Sequence, residues 1–446
     1  MSRRVVITGL GAASGLGVGA PALWDGLLEG RSAIRRITSF DASGFVTPFA
    51  AELENFAAKD HVPKHYRKAL KVMARDTELA VACAKAAVED AGLVTKAGLP
   101  EDAGEGAATT YAPARVGCQI GAGLIAAEVP ELAAAMASSV DAATGVAAAG
   151  GFSYDKWGTG AMENLTPLWL LKYLPNMLAC HVTILHDARG PSNTITCAEA
   201  SGLLSIGESM RVIERGAADA CFSGSCESKI NPMGIKRLEF AGRLSSAHHG
   251  DPAGFVRPYD PRASGGFLGE GGGILMLESL DTAKARGAKA KAELLGFGGG
   301  LSSTLAGGDA SEGLRFAIEN AMEDAGVRPG DIDAIVPQGA GVRAVDEAEA
   351  AALRGVFGPG LKDIPLITVS PVIGECVAGA GGLAACVAAL AIVHQTLPAR
   401  LHAGECPADL QAGPAKARDA RLRRILVCTS SLGGQSAAVV MGRHED

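Results

Sequence analysis

The 446 residues carry 41 Lys and Arg against 48 Asp and Glu, a net charge of −7, which argues against a protein that coats nucleic acid. The length suits about three average domains, or two larger halves sharing one core, and with 48% hydrophobic but only 4% aromatic residues and 59 glycines, that core is built from Ala, Val and Leu. The ten cysteines form no CxxC pair, so reduced thiols in a cytoplasm are expected rather than a disulfide framework or a zinc ribbon.

Val5-Val6-Ile7-Thr8 predicts a strand that turns at Gly9, and the apolar run there is too short for a signal peptide. Residues 21–30 predict a short helix opened by Pro21, and 67–92 a single long helix stopped by Gly92. Residues 99–113 read as loop, and 116–120 as a strand ending in Gly-Ala-Gly. A helix is expected over 201–216, with strands over 218–224 and 273–277. The order then repeats: strand and turn at 292–296, helix at 313–326, strand at 334–336, helix at 345–357, closing strands at 425–428 and 437–441. The uncharged stretch 376–393 just reaches the length of a membrane span. It is mostly Ala, Gly and Val, which insert weakly, so a buried helix and no stable membrane insertion are expected. The two similar β/α halves suggest a duplication.

Thr8-Gly9 with Gly11, Gly15 and Gly17 fits a glycine-rich dinucleotide turn. No Tyr is followed four residues later by Lys, and no P-loop motif occurs, so neither dinucleotide nor other cofactor binding is expected. More specific is Phe255-Val256-Arg257-Pro258-Tyr259-Asp260-Pro261-Arg262, followed by Gly265-Gly266-Phe267-Leu268-Gly269-Glu270-Gly271. This run resembles the β-ketoacyl synthases, condensing enzymes of the thiolase superfamily, and in particular the type II elongating synthases. Trp24, Leu27-Leu28-Glu29-Gly30, Phe40-Asp41, Gly190-Pro191-Ser192 and Gly433-Gly434 fall in the family's order.

The resemblance implies an α/β thiolase fold, with duplicated βαβαβαββ halves at 1–285 and 286–446 in a five-layer αβαβα arrangement. It also implies decarboxylative condensation by one cysteine and two histidines, and here the sequence departs. Counting from either side places the nucleophile at Glu199, with Cys197 two residues early and read as a structural thiol. The first histidine position is Gln338, with Asp346 and Glu349 at the family's offsets. The lysine position is Ser370, the second histidine position Glu375, and the gating phenylalanine Leu432. A glutamate is no acyl-accepting thiolate, and two imidazoles are missing to polarise a thioester carbonyl. Glu199 is expected instead to place its carboxylate against a helix N-terminus.

Relatives with such replacements resemble chain-length factors, which pair with an active ketosynthase and shape the far end of its acyl tunnel. Their usual substitute is glutamine, so Glu199 is a departure. The expected role is a cytoplasmic, non-condensing partner of an active ketosynthase, or a homodimer, served by acyl carrier protein through Lys64, Arg67 and Lys68. A plain solvated helix face accounts for those three residues equally well. The rival reading is an enzyme with new chemistry, decarboxylation or hydrolysis of malonyl or acyl carrier-protein thioesters, in which Glu199, Glu375 and Gln338 converge as an acid/base or metal cluster. A homodimer that holds an acyl chain without reacting is a third. Cys376 beside Glu375 is read as packing. The segment 143–164, with Tyr154, Trp157 and Met162, is expected near the dimer interface or the tunnel.

Overall fold

The computed structural model describes residues 3–100, 108–140, 151–246, 254–303, 308–401 and 404–445. Nine strands run in one continuous path: β1 (Val5–Ser14), β2 (Val116–Gly121), β3 (Ser192–Ile195), β4 (Ala220–Ser228), β5 (Leu268–Ser279), β6 (Ala292–Leu301), β7 (Ala334–Val336), β8 (Arg424–Ser430) and β9 (Gln435–Gly442). Their order is β7-β8-β9-β6-β1-β5-β4-β2-β3. The two halves of the path are joined where Val5 to Ile7 of β1 pair antiparallel with Leu294 to Ala292 of β6.

Five layers follow from which faces are apolar. Helices α2 (Arg75–Asp90) and α3 (Met177–His186) cover the outer face of the β1/β5/β4/β2 side. Helices α4 (Ser201–Glu214) and α9 (Ala380–His394) lie in the middle and touch strands of both sides. Helices α6 (Glu312–Asp324) and α7 (Arg343–Phe357) cover the far face. Helix α9 is apolar all round, as a helix between two sheets must be. Although 377–394 is long and apolar enough to cross a membrane, 83% of it is buried in the protein. Helix α1 (Ala20–Glu29) ends at Gly30, which takes the left-handed conformation. Helix α5 (Pro232–Phe240) and the single turn α8 (Ser370–Ile373) complete the elements that frame the site.

Three expectations are corrected. Strand β1 does not turn at Gly9 but continues to Ser14. A Cβ at Gly9 would lie 2.1 Å from the Ala87 carbonyl oxygen, and one at Gly11 1.8 Å from that of Cys83. Those glycines let α2 press onto the strand; they are not a phosphate cradle. Likewise β6 runs through Gly298 and Gly300, where α6 approaches, instead of turning at Gly296.

The long helix expected over 67–92 is two pieces, a 3-10 stretch Lys64–Val72 and α2. Between them Met73 and Ala74 are buried with extended backbone. Arg75 turns inward to Glu270 at 2.7 Å and to the Leu53 carbonyl at 3.0 Å, and Asp76 and Glu78 then supply the acidic first turn that a new helix favours. Residues 101–107 of the expected loop, and 143–150 of the irregular segment, lie outside the described residues. Of that segment's named side chains Tyr154 and Met162 are exposed and Trp157 is partly buried.

Candidate active site

Strand β3 leads into a tight elbow, Ala198–Ala200, from which α4 departs. Ala198 sits at φ +46°, a conformation a non-glycine residue holds at a cost of roughly 1–3 kcal/mol. The elbow aims the next side chain, Glu199, into the protein, where it is buried. Its carboxylate does not cap the helix as expected. One oxygen pairs with the buried Arg243 guanidinium, and the other accepts the Leu432 N–H at 3.2 Å.

Arg243 follows α5 in a loop zipped to the strand region at Gly266. No motif singles it out in the sequence. The one available signal is indirect: a carboxylate buried at 199 needs a cation beside it, without saying which.

Gln338, Ser370 and Glu375 gather on the C-terminal side of the site. Glu349 of α7 accepts the N–H groups of Gln338 at 2.8 Å and Gly339 at 2.9 Å and the Tyr259 hydroxyl at 2.7 Å, fixing the loop that bears Gln338. Asp346, one turn earlier on the same face, accepts the Tyr259 N–H at 3.0 Å, and burial pushes its carboxyl up to about 8. The side-chain amide oxygen (Oε1) of Gln338 accepts from the Ser430 N–H at 3.3 Å. Ser370 donates to the Gly339 carbonyl and so braces the same loop. A small cavity of about 20 Å³ opens among these groups, lined by Gln338, Ser370, Glu375 and Thr429. It has room for one water. The amide nitrogen of Gln338 and the hydroxyl of Thr429 are buried there without a hydrogen-bond partner among the described residues.

Glu375 accepts the Val377 N–H at 2.9 Å. Its carboxyl is raised from 4.5 to about 7, first by burial and then by the negative charge of Glu199, against the opposing pull of Arg243 and the Val377 amide. The folded protein therefore holds this proton more tightly than the unfolded chain does. Between pH 4.5 and 7 the contribution of Glu375 to stability falls as pH rises, by at most about 1.4 kcal/mol per unit. Glu375→Gln is accordingly expected to gain stability relative to the wild type between pH 5 and pH 7, measured by urea unfolding at each pH.

Burial raises the thiol of Cys197, and that of Cys376 lies well above its ordinary range, pushed up first by burial and then by Glu375. Beneath the loop carrying Cys376, Glu227 pairs with Lys229 and accepts the Ala378 N–H at 2.8 Å. Nearby Asp76 is raised to about 7, mainly by burial. Among the described residues no group of three His, Cys, Asp or Glu side chains is spaced to hold a metal ion. Lys64, Arg67 and Lys68 are exposed on the 3-10 stretch and take no part in this cluster. Leu432 lies in the β8–β9 hairpin with its side chain 56% exposed, so its backbone, not its side chain, meets Glu199.

The family models for the β-ketoacyl synthase N-terminal and C-terminal domains match residues 2–283 and 298–404. The chain belongs to the β-ketoacyl synthase family. It is 31% identical over 450 residues to 3-oxoacyl-[acyl-carrier-protein] synthase 2 of Staphylococcus aureus, covering 100% of this chain and 99% of that protein. It is 30% identical to the synthase of the same name from Coxiella burnetii, with the same coverage. Among solved structures, the ishigamide ketosynthase/chain length factor superposes with a TM-score of 0.82 at 28% identity over 100% of both chains. A β-ketoacyl synthase from Burkholderia phymatum gives 0.80 at 22% identity over 99% of this chain and 100% of that one, a likeness of fold alone. With these neighbours the five layers described above are the α/β thiolase fold, and the chain is a type II ketosynthase-like protein.

Proposed function

We propose that this β-ketoacyl synthase family member is a non-condensing subunit of the chain-length-factor type in a type II fatty-acid or polyketide synthase, acting in the cytoplasm beside an active ketosynthase. The observation that carries this reading is the state of the elbow side chain. Glu199 stands where the family's nucleophile is expected, and it is consumed by Arg243 and the Leu432 amide. Beside it, Gln338, Ser370 and Glu375 are tied into loops around a cavity of about 20 Å³.

Two further observations support a partnership. Among the described residues strand β3 ends the sheet and pairs on one side only, with β2, leaving a polar edge of the kind a second sheet covers. A solved relative of full-length similarity is described as a ketosynthase/chain length factor. The duplicated halves 1–285 and 286–446 each contribute to the site: Glu199 and Arg243 from the first, Gln338, Ser370, Glu375 and Leu432 from the second. The exposed Lys64, Arg67 and Lys68 are suited to an acidic carrier protein. The rival reading, new chemistry by the glutamates, is disfavoured because Arg243 and Leu432 already occupy the Glu199 carboxylate.

Native mass spectrometry after co-expression with a ketosynthase from the same pathway tests the partnership. A one-to-one mixed dimer is expected. Exclusive homodimers in the presence of an excess of the ketosynthase would contradict it.

A further inference from the structure

Three segments far apart in the sequence meet on one side chain. The elbow presents Glu199; the loop after α5 presents Arg243, held at its backbone by hydrogen bonds to Leu238 and Gly266; and the β8–β9 hairpin presents the Leu432 N–H. The two charged side chains are only 2% and 8% exposed. Among the described residues Glu199 is the one carboxylate that pairs with Arg243. The same hairpin is tied by Ser431 and Gln435, and the Gly434 carbonyl reaches across to the Ser302 N–H at 2.9 Å. Its backbone is thus joined both to its own neighbours and to the elbow.

A buried guanidinium needs a carboxylate, and a buried carboxylate needs its donors. From this geometry we infer that Glu199 is a positioning residue, an internal carboxylate ligand of Arg243 that clamps the elbow, the Arg243 loop and the Leu432 hairpin together. Its role is distinct from that of a nucleophile or a general base: the carboxylate binds Arg243 and holds the hairpin backbone inward while the Leu432 side chain is largely exposed. The inference rests on the non-condensing reading in one respect, that the elbow carries a carboxylate in place of a thiol. The clamp itself is indifferent to which partner the chain takes.

Truncating the carboxylate leaves a cavity beside a buried cation, shaped for a small free carboxylate. The full-length Glu199→Ala variant is therefore expected to melt roughly 3–5 °C below the wild type, and to exchange the amide hydrogens of 431–435 faster. Sodium acetate or propionate is expected to restore about half or more of that loss, while sodium chloride at equal ionic strength restores none and the wild type responds to neither. An unchanged melting temperature, or equal recovery in chloride and acetate, would overturn the clamp.

Should Glu199→Ala not fold, the apolar pair Glu199→Leu with Arg243→Met carries the test. Removing both charges is expected to give a protein that melts higher than either single variant. A double variant no more stable than the more stable single would overturn the inference. Loss of the clamp would leave mixed-dimer formation untouched, and failure to form mixed dimers would leave the acetate response untouched, so the two readings fail separately.

Discussion

Glu199→Cys is expected to form no β-ketoacyl product from acyl and malonyl carrier protein, even though it places a thiol on the elbow. Positioned acid/base groups and oxyanion donors each supply about 10²–10³ or more in rate. Around this elbow their expected positions are held by Gln338, Ser370 and Glu375, each already tied into a loop. Turnover at least about a thousand-fold below that of an active ketosynthase assayed on the same carrier proteins is the outcome that follows. The measurement is mass analysis of the carrier-bound chain. A variant that condenses at a rate near the active enzyme's would show that the remaining groups suffice and that the site is not degenerate.

The second large effect is structural. Gly11→Ala is expected to prevent accumulation of folded protein, because the added Cβ would lie 1.8 Å from the Cys83 carbonyl oxygen and 2.7 Å from the Ala87 N. Both are backbone atoms of α2, so no side-chain rotation relieves the clash; the helix must lift off β1, opening the Ala-rich outer core. A cost beyond about 4 kcal/mol is expected, in the exceptional range for one substitution. Gly98→Ala, where nothing lies within 4 Å of the added carbon, is expected to change stability by no more than about 0.5 kcal/mol. Soluble yield and thermal melting of the two variants make the comparison, and equal behaviour would refute the packing argument.

That glycine also explains where the sequence misleads. A glycine-rich run after Val5-Val6-Ile7-Thr8 reads as a turn because glycine is the common residue of turns. In this protein it is the residue that lets a helix approach a strand, and no one-dimensional pattern separates the two uses. The break between Lys64–Val72 and α2 was similarly hidden, since Met73 and Ala74 are ordinary helix formers. Only the pull of Arg75 toward Glu270, almost two hundred residues away, sets the boundary. Helices α1 and α6, by contrast, are legible from apolar spacing and their glycine stops, and α9 from its unbroken apolar composition.

At the site, Asp346 and Glu349 sit one turn apart on α7, and the structure shows what that spacing serves: Glu349 fixes Gln338 and Gly339, and Asp346 fixes Tyr259. Arg243 escaped because its partner lies 44 residues away across a loop, and pairing over such a distance leaves no periodicity. The expected cap of Glu199 on α4 failed for the same reason. The helix dipole offers a fraction of a charge, whereas Arg243 brings a whole one into a buried setting.

On the proposed function, this subunit supports condensation without performing it. That is tested most directly by intact-protein mass spectrometry of the chain incubated with malonyl and long-chain acyl carrier protein, alone and with a co-expressed ketosynthase. The account predicts that the chain alone gains no acyl mass and leaves both carrier proteins unchanged, and that only the mixed sample elongates. Loss of CO2, thioester cleavage or acyl transfer by the chain alone would contradict it and make the glutamates or a cysteine catalytic.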